Sequence, residues 1–309
     1  MYYNNETKEN CMKKMKNWRP SASLLAGAAV LGLLVLLVPI VRIMRDAVPF
    51  SDDYGYGYFA KLGYLMGKNL PGVLMGVWEN VKHTWWTWQG TYSSIFLMSL
   101  VPLVWGEQYY FWGLLFILLL LIGGVFALVK ALVVDVLQGG WQQCLYIQAV
   151  TAALVVELMY YPAEGLFWYN GGIHYVGMHG FAMLLLASLI CLSEGKKGRI
   201  RKGLLIAASM ILSLIVAGSN YVTALQTFLV FLTIIVAGAL LHRNIKGLLR
   251  LVPAFCVYSI GFYKNLAAPG NTARAEALGN PGMAPLQAIL FSFKEAFSHM
   301  WEYTGWMTI

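Results

Sequence analysis

Apolar residues in this chain gather into blocks rather than alternating or recurring every third or fourth position. The blocks cover 22–43, 110–134, 144–161, 174–192, 203–217, 222–241 and 251–263. Most approach the ~20 residues that cross a hydrocarbon layer as a helix. Each must be helical, because lipid offers the backbone no hydrogen-bond partner. Alternating strands of about 10 residues, the mark of a membrane barrel, are not what these blocks show. The pattern therefore predicts an all-α, polytopic transmembrane helical bundle of about seven spans, forming one domain over 1–309. A further apolar stretch, 93–105, contains Pro102 and is about a dozen residues long. It reads as an interfacial or re-entrant helix.

Composition removes the soluble alternatives. Hydrophobic residues make up 59% of the 309 and charged residues only 12%, against about 25% charged in an ordinary globular domain. The formal net charge is +8, and its placement is uneven. Lys13, Lys14, Lys16 and Arg19 precede the first block; Lys196, Lys197, Arg199, Arg201 and Lys202 share one short loop; Arg243, Lys246 and Arg250 share another. Basic loops beside apolar spans stay cytoplasmic. Nucleic acid is accordingly not the partner; the lipid bilayer is. Seven spans satisfy all three clusters if 1–21 is cytoplasmic and 93–105 does not cross, against the local pull of Arg42 and Arg45. The first block lacks a small-x-small cleavage site and reads as a retained anchor in a cell membrane.

This topology puts four segments outside: a long first loop, 44–109, then 162–173, the turn 218–220, and 264–309. The last contains an amphipathic stretch, 286–301; either more membrane segments follow it or the chain is a short member of its type. The polar chemistry concentrates in these outer segments. Asp52 and Asp53 follow the first span, and desolvation near a membrane surface would make one of them a better base. A solvated helix start, with Ser51 or Asp52 as cap, accounts for the same dipeptide. Trp85, Trp86 and Trp88 with Gln89 and Thr91 offer apolar faces with polar edges, which suit sugar rings; an interfacial aromatic belt explains them equally. The second segment supplies Glu164, Trp168, Asn170 and His174, and the third Asn220. Arg274, beyond a Pro-Gly-Asn turn, carries a planar fork suited to phosphate oxygens, unless it snorkels to the head groups.

His174 and His179 lack the HExxH zinc spacing, and no two of Cys11, Cys144, Cys191 and Cys256 share a metal-ligand spacing. No metal-binding residues are assigned, although paired carboxylates suit Mg²⁺ or Mn²⁺. Glu157 sits inside a predicted span and should be paired or face a cavity.

The strings SDDYGYGY, TWWTWQGTYSSIFLMSLVP, EGLFWYNGGIHY, AGSNY and APGNTAR resemble an uncharacterised family of bacterial multi-pass membrane proteins. That family is similar to the GT-C membrane glycosyltransferases. The resemblance covers about 49–274. It implies a GT-C-like module of seven spans with a catalytic acid in the first outer loop. It also implies transfer of a sugar from a polyprenyl-phosphate donor to an envelope glycan or polymer acceptor on the extracytoplasmic face. The acid position falls on Asp52 or Asp53; we take Asp53 as base with Asp52 orienting it. Arg274 matches a phosphate-binding position by type and side only. Two other classes remain: a transporter or flippase for a lipid-linked or small polar substrate, which predicts mid-membrane charge and paired broken helices, and a non-catalytic scaffold of an envelope assembly complex.

Overall fold

The computed structural model describes residues 21–194, 198–242, 245–279 and 282–307. The basic cluster from Lys13 to Arg19, and Lys196, Lys197 and Arg243 of the two basic loops, lie outside them. Every regular element among the described residues is helical, and the chain is an all-α multi-pass membrane bundle.

Helix α1 (Ala22–Asp46) begins at Ser21, whose Oγ accepts the Leu24 N–H at 3.2 Å. The long first loop folds into α2 (Asp52–Gly67), α3 (Leu70–Thr87) and α4 (Tyr92–Ser99). Asn69 caps α3 by accepting the Gly72 N–H. Helix α2 packs closely along α3: a Cβ on Gly76 would lie 2.1 Å from the Phe59 carbonyl oxygen, so only glycine allows this approach. Next come α5 (Tyr110–Lys130), prolonged by a π-helical turn (Ala131–Val136), then α6 (Trp141–Glu157) and α7 (Pro162–Leu166). Helix α8 (Tyr169–Gly172) continues through a π-helical turn (Ile173–Gly177) into α9 (Met178–Glu194). The chain closes with α10 (Arg199–Ala217), α11 (Tyr221–Ala237), α12 (Ile245–Leu266), α13 (Pro269–Ala277) and α14 (Pro285–Met307).

Among the described residues, six helical runs are long and apolar enough to cross a membrane: Ala22–Asp46, Glu107–Val136, Tyr169–Ser193, Ile200–Ala217, Tyr221–Leu240 and Ile245–Ala277. Where a seventh span was expected, at 144–161, the chain forms α6, which is not among these six; its 17 residues extend roughly 25 Å at ~1.5 Å per residue. That is the short end of the crossing range. It packs beside α1 and α5. Its last residue, Glu157, is exposed at the helix end. The stretch 93–105 does not cross: α4 has eight residues and gives way to a 3₁₀ turn at Pro102–Val104. Three interior clusters hold the described residues together. One joins α2, α3 and α4 to α5 through Ala60, Val77, Ile95 and Leu114. The second joins α9 to α12 around Leu185, Phe231 and Tyr258. The third joins α1, α5 and α6 through Leu33, Val125 and Ala149.

Candidate functional site

The four segments expected to share one side of the bundle do meet. The Trp168 Nε1–H donates to the Phe50 carbonyl at 3.3 Å. The Ser93 and Ser94 N–H groups donate to the Gly218 carbonyl. Asn220 Nδ2 donates to the His174 carbonyl at 2.7 Å. Arg274 donates to Gln89 Oε1 at 2.5 Å. The turn after α3 is the crossing point. The Gly90 N–H reaches Asn271 Oδ1 at 2.9 Å, and Tyr221 donates to the same oxygen. A Cβ on Gly90 would stand 1.9 Å from the Asn265 carbonyl oxygen, so the turn can approach α12 only as glycine. The Pro-Gly-Asn turn thus starts α13 and docks it on the end of α3.

The adjacent aspartates have different surroundings. Ser51, with φ 44°, makes no side-chain cap; the capping comes from Asp53, whose Oδ2 accepts the Phe50 N–H at 3.0 Å. The same Oδ2 accepts the Tyr110 hydroxyl at 2.6 Å, and Oδ1 accepts the Asn170 N–H at 3.1 Å. Asp53 is fully buried. Burial pushes its carboxyl above the usual range, against the pull of those three donors, and the Asp52 charge adds to the rise. The Tyr110 hydroxyl also accepts the Tyr169 N–H at 2.9 Å. Asp53 is therefore a hub joining the start of α2, α5 and α8.

Asp52 is exposed and lines a polar pocket of about 310 Å³ with Tyr56, Asn80, His83, Thr87 and Trp88, at the small end of ligand sites (about 300–1,000 Å³). Arg274 lies over the Trp88 ring, 5.2 Å from its centroid. Its positive charge is felt at Tyr56, whose hydroxyl is pushed up by burial and by Asp52 and drawn down by Arg274. An acid, a phenol and a guanidinium thus share one electrostatic neighbourhood. His174 is tied to the adjoining 218–220 turn, its carbonyl accepting from Asn220.

The opposite side of α3 lines an apolar groove of about 480 Å³, with Trp78, Trp85 and Trp86 on α3, Phe96 on α4, Phe181 on α9 and Leu214 on α10. Lys82 lines it too and pairs with Glu79 at 2.6 Å. Burial pushes the hydroxyl of Tyr92, another lining residue, up to about 12.

The structure brings Asp52, Trp88, Gln89 and Arg274 into this neighbourhood, with Asn170 just behind it through Asp53 and His174 at the adjoining turn. Trp168 anchors the Phe50 carbonyl. Asn220 is spent on structure: it accepts the Thr223 N–H as the cap of α11 and clamps His174. Glu164 stands exposed on α7 and lines none of these cavities. Sequence reasoning overlooked Tyr56, Tyr110 and the polar stripe Asn80, His83, Thr84, Thr87. The stripe's spacing of three, four and seven residues marks one helical face and was available as a signal. The two carboxylates differ in surroundings: Asp53 accepts three donors in the interior, and Asp52 faces the pocket. Among the described residues no three His, Cys, Asp or Glu side chains gather as a metal site. Compared with protein-family models, curated proteins and solved structures, the chain matches none.

Proposed function

We propose that this chain is a GT-C-like glycosyltransferase of the cell membrane. It moves a sugar from a polyprenyl-phosphate donor to a cell-envelope acceptor on the extracytoplasmic face. In this reading the N-terminus is cytoplasmic and α6 counts as the seventh crossing. The observation that carries the proposal is the division made by α3: an apolar groove on one face and an acid-bearing polar pocket on the other. A lipid-linked sugar needs both environments within one molecule's length.

The groove takes the isoprenoid tail, where apolar burial contributes about 25 cal/mol per Å². Arg274, freed from Gln89, holds the phosphate with a bidentate fork. Asp52 takes the proton of the acceptor hydroxyl as its oxygen bonds to the anomeric carbon. The bond from that carbon to the phosphate oxygen breaks, and the polyprenyl phosphate leaves with the electron pair, stabilised by Arg274. Asp52 and Asp53 exchange the roles expected from sequence: Asp52 is the base, and Asp53 positions it by fixing the start of α2. A divalent cation is not part of this mechanism.

The test is replacement of Asp52 by Asn, with envelope glycans read by mass spectrometry. Loss of one glycan species at normal protein level is the expected result. An unchanged glycan profile counts for a scaffold, and loss of transbilayer movement of a labelled lipid-linked sugar counts for a flippase.

A further inference from the structure

Among the described residues, the buried polar atoms without a hydrogen-bond partner are both amide atoms of Asn170, the Nδ1 of the half-buried His174, the hydroxyls of Thr91 and Ser94, and, apart from these four side chains, the hydroxyls of Ser213 and Ser259 and the Asn265 Oδ1. Asn170 and Ser94 are fully buried, and Thr91 is 1% exposed. Orphaned buried groups are costly, so they are rare and call for a reason. These four are not scattered. Asn170 and His174 lie one helical turn apart on the continuous α8 segment. Thr91 and Ser94 lie three residues apart at the start of α4. The π-helical turn bearing His174 packs against α4. The two segments are also tied by Tyr169, which donates to the Leu97 carbonyl at 3.1 Å. Both lean on the 218–220 turn, through Ser94 on one side and His174 on the other.

The chemistry of the set is distinctive. It contains an amide, an imidazole nitrogen and two hydroxyls, and no formal charge beyond what the imidazole can take up. Such groups both donate and accept, which matches the vicinal hydroxyls of a sugar ring and not a phosphate or a hydrocarbon. The charged partners stand beside it, at Asp52 and Arg274. We propose that Thr91, Ser94, Asn170 and His174 form a seat for the uncharged, hydroxyl-bearing ring of the donor, next to the phosphate held by Arg274. This deepens the glycosyltransferase reading and rests on it.

The unpartnered atoms of the seat are closed to solvent. The turn that carries Thr91 is held down by Arg274 on Gln89 and by Asn271 on Gly90. A phosphate that draws Arg274 off Gln89 removes one of these ties.

The full chain in nanodiscs is titrated with farnesyl phosphate and with a panel of farnesyl-phosphoryl hexoses. The native protein should bind at least one of the hexose ligands about tenfold tighter than farnesyl phosphate, the worth of one net hydrogen bond or two. The double variant Thr91→Val, Ser94→Ala should lose that margin, keep its affinity for farnesyl phosphate and melt no lower than the native protein. The single variant Asn170→Ser serves as a second probe of the same margin. If the native protein binds all the ligands equally, or if the margin survives in these variants, the seat is wrong although the lipid-phosphate reading stands. If neither kind of ligand binds, the lipid-phosphate reading fails and the seat fails with it.

Discussion

Asp52 and Asp53 are one residue apart, and the regions they serve work in opposite ways. Around Asp53 every donor is matched: a backbone N–H from before α2, a hydroxyl from α5 and a backbone N–H from α8 close on one buried carboxylate. Around Asp52 the pocket is open, lined by hydroxyl, amide and imidazole side chains. A step of about 100° around a helix separates the two positions. The difference teaches that a carboxylate earns a chemical role by what its surroundings leave unused. Saturation makes Asp53 a fastener. Openness leaves Asp52 able to meet a substrate.

The comparison breaks most visibly if the hub is removed. Asp53→Ala leaves the Phe50 and Asn170 N–H groups and the Tyr110 hydroxyl facing a void. Each unpaired buried group costs about 1–3 kcal/mol. We expect a loss of about 4 kcal/mol or more, in the exceptional range for one substitution, read by thermal unfolding in nanodiscs. A variant that melts within about 1 kcal/mol of the native protein would show that the three hydrogen bonds are dispensable.

The reverse signature is expected at the neighbouring position. Asp52→Asn should leave the melting curve within about 0.5 kcal/mol, as exposed substitutions do. Sugar transfer should fall by about 10²–10⁴, the usual worth of a general base. Equal losses of stability at Asp52 and Asp53 would erase the distinction between them. A third variant, Arg274→Lys, keeps the charge but gives up the planar fork and the stacking on Trp88. Affinity for farnesyl phosphate should drop about tenfold, equivalent to about 1.4 kcal/mol, in a direct binding titration. No change would move the phosphate away from Arg274.

Much of this architecture was legible in the order of residues. Long apolar blocks announce helical spans whatever the neighbours are, so the bundle and the non-crossing stretch around Pro102 could be read directly. The meeting of distant segments was legible too: Gln89 and Arg274, 185 positions apart, were grouped by loop parity and are hydrogen-bonded. The roles of the two aspartates were not legible. They depend on the phase of α2 and on Tyr110 and Asn170, which lie 57 and 117 positions away. No local pattern encodes such partners. The tryptophan run misled in a smaller way. Trp85 and Trp86 turn into the groove while Trp88 lines the polar pocket, a division set by helical phase at the end of α3. Asn220 looked like a ligand residue and is a helix cap; its position ahead of a long apolar block was the available clue.

The finest test of the comparison is the pH dependence that Asp53 alone should confer. Burial raises its carboxyl above 3.8, and the three donors work against that rise without cancelling it. The folded protein therefore binds this proton more tightly than the unfolded chain does. Its stabilising contribution is fully present below 3.8 and is lost as pH climbs through the raised folded value. Asp53→Asn cannot titrate there, so subtracting its melting temperature from the native one isolates the effect against all other carboxylates. The difference should be most favourable to the native protein at the acid end of the range and should shrink steadily toward neutral pH. A difference that widens toward neutral pH means the opposite balance: Tyr110, Phe50 and Asn170 outweigh burial, and Asp53 is held as a stabilised anion. Asp53 would then still fasten α2 to α5 and α8, but it would do so as a charge the bundle favours and not as one it tolerates.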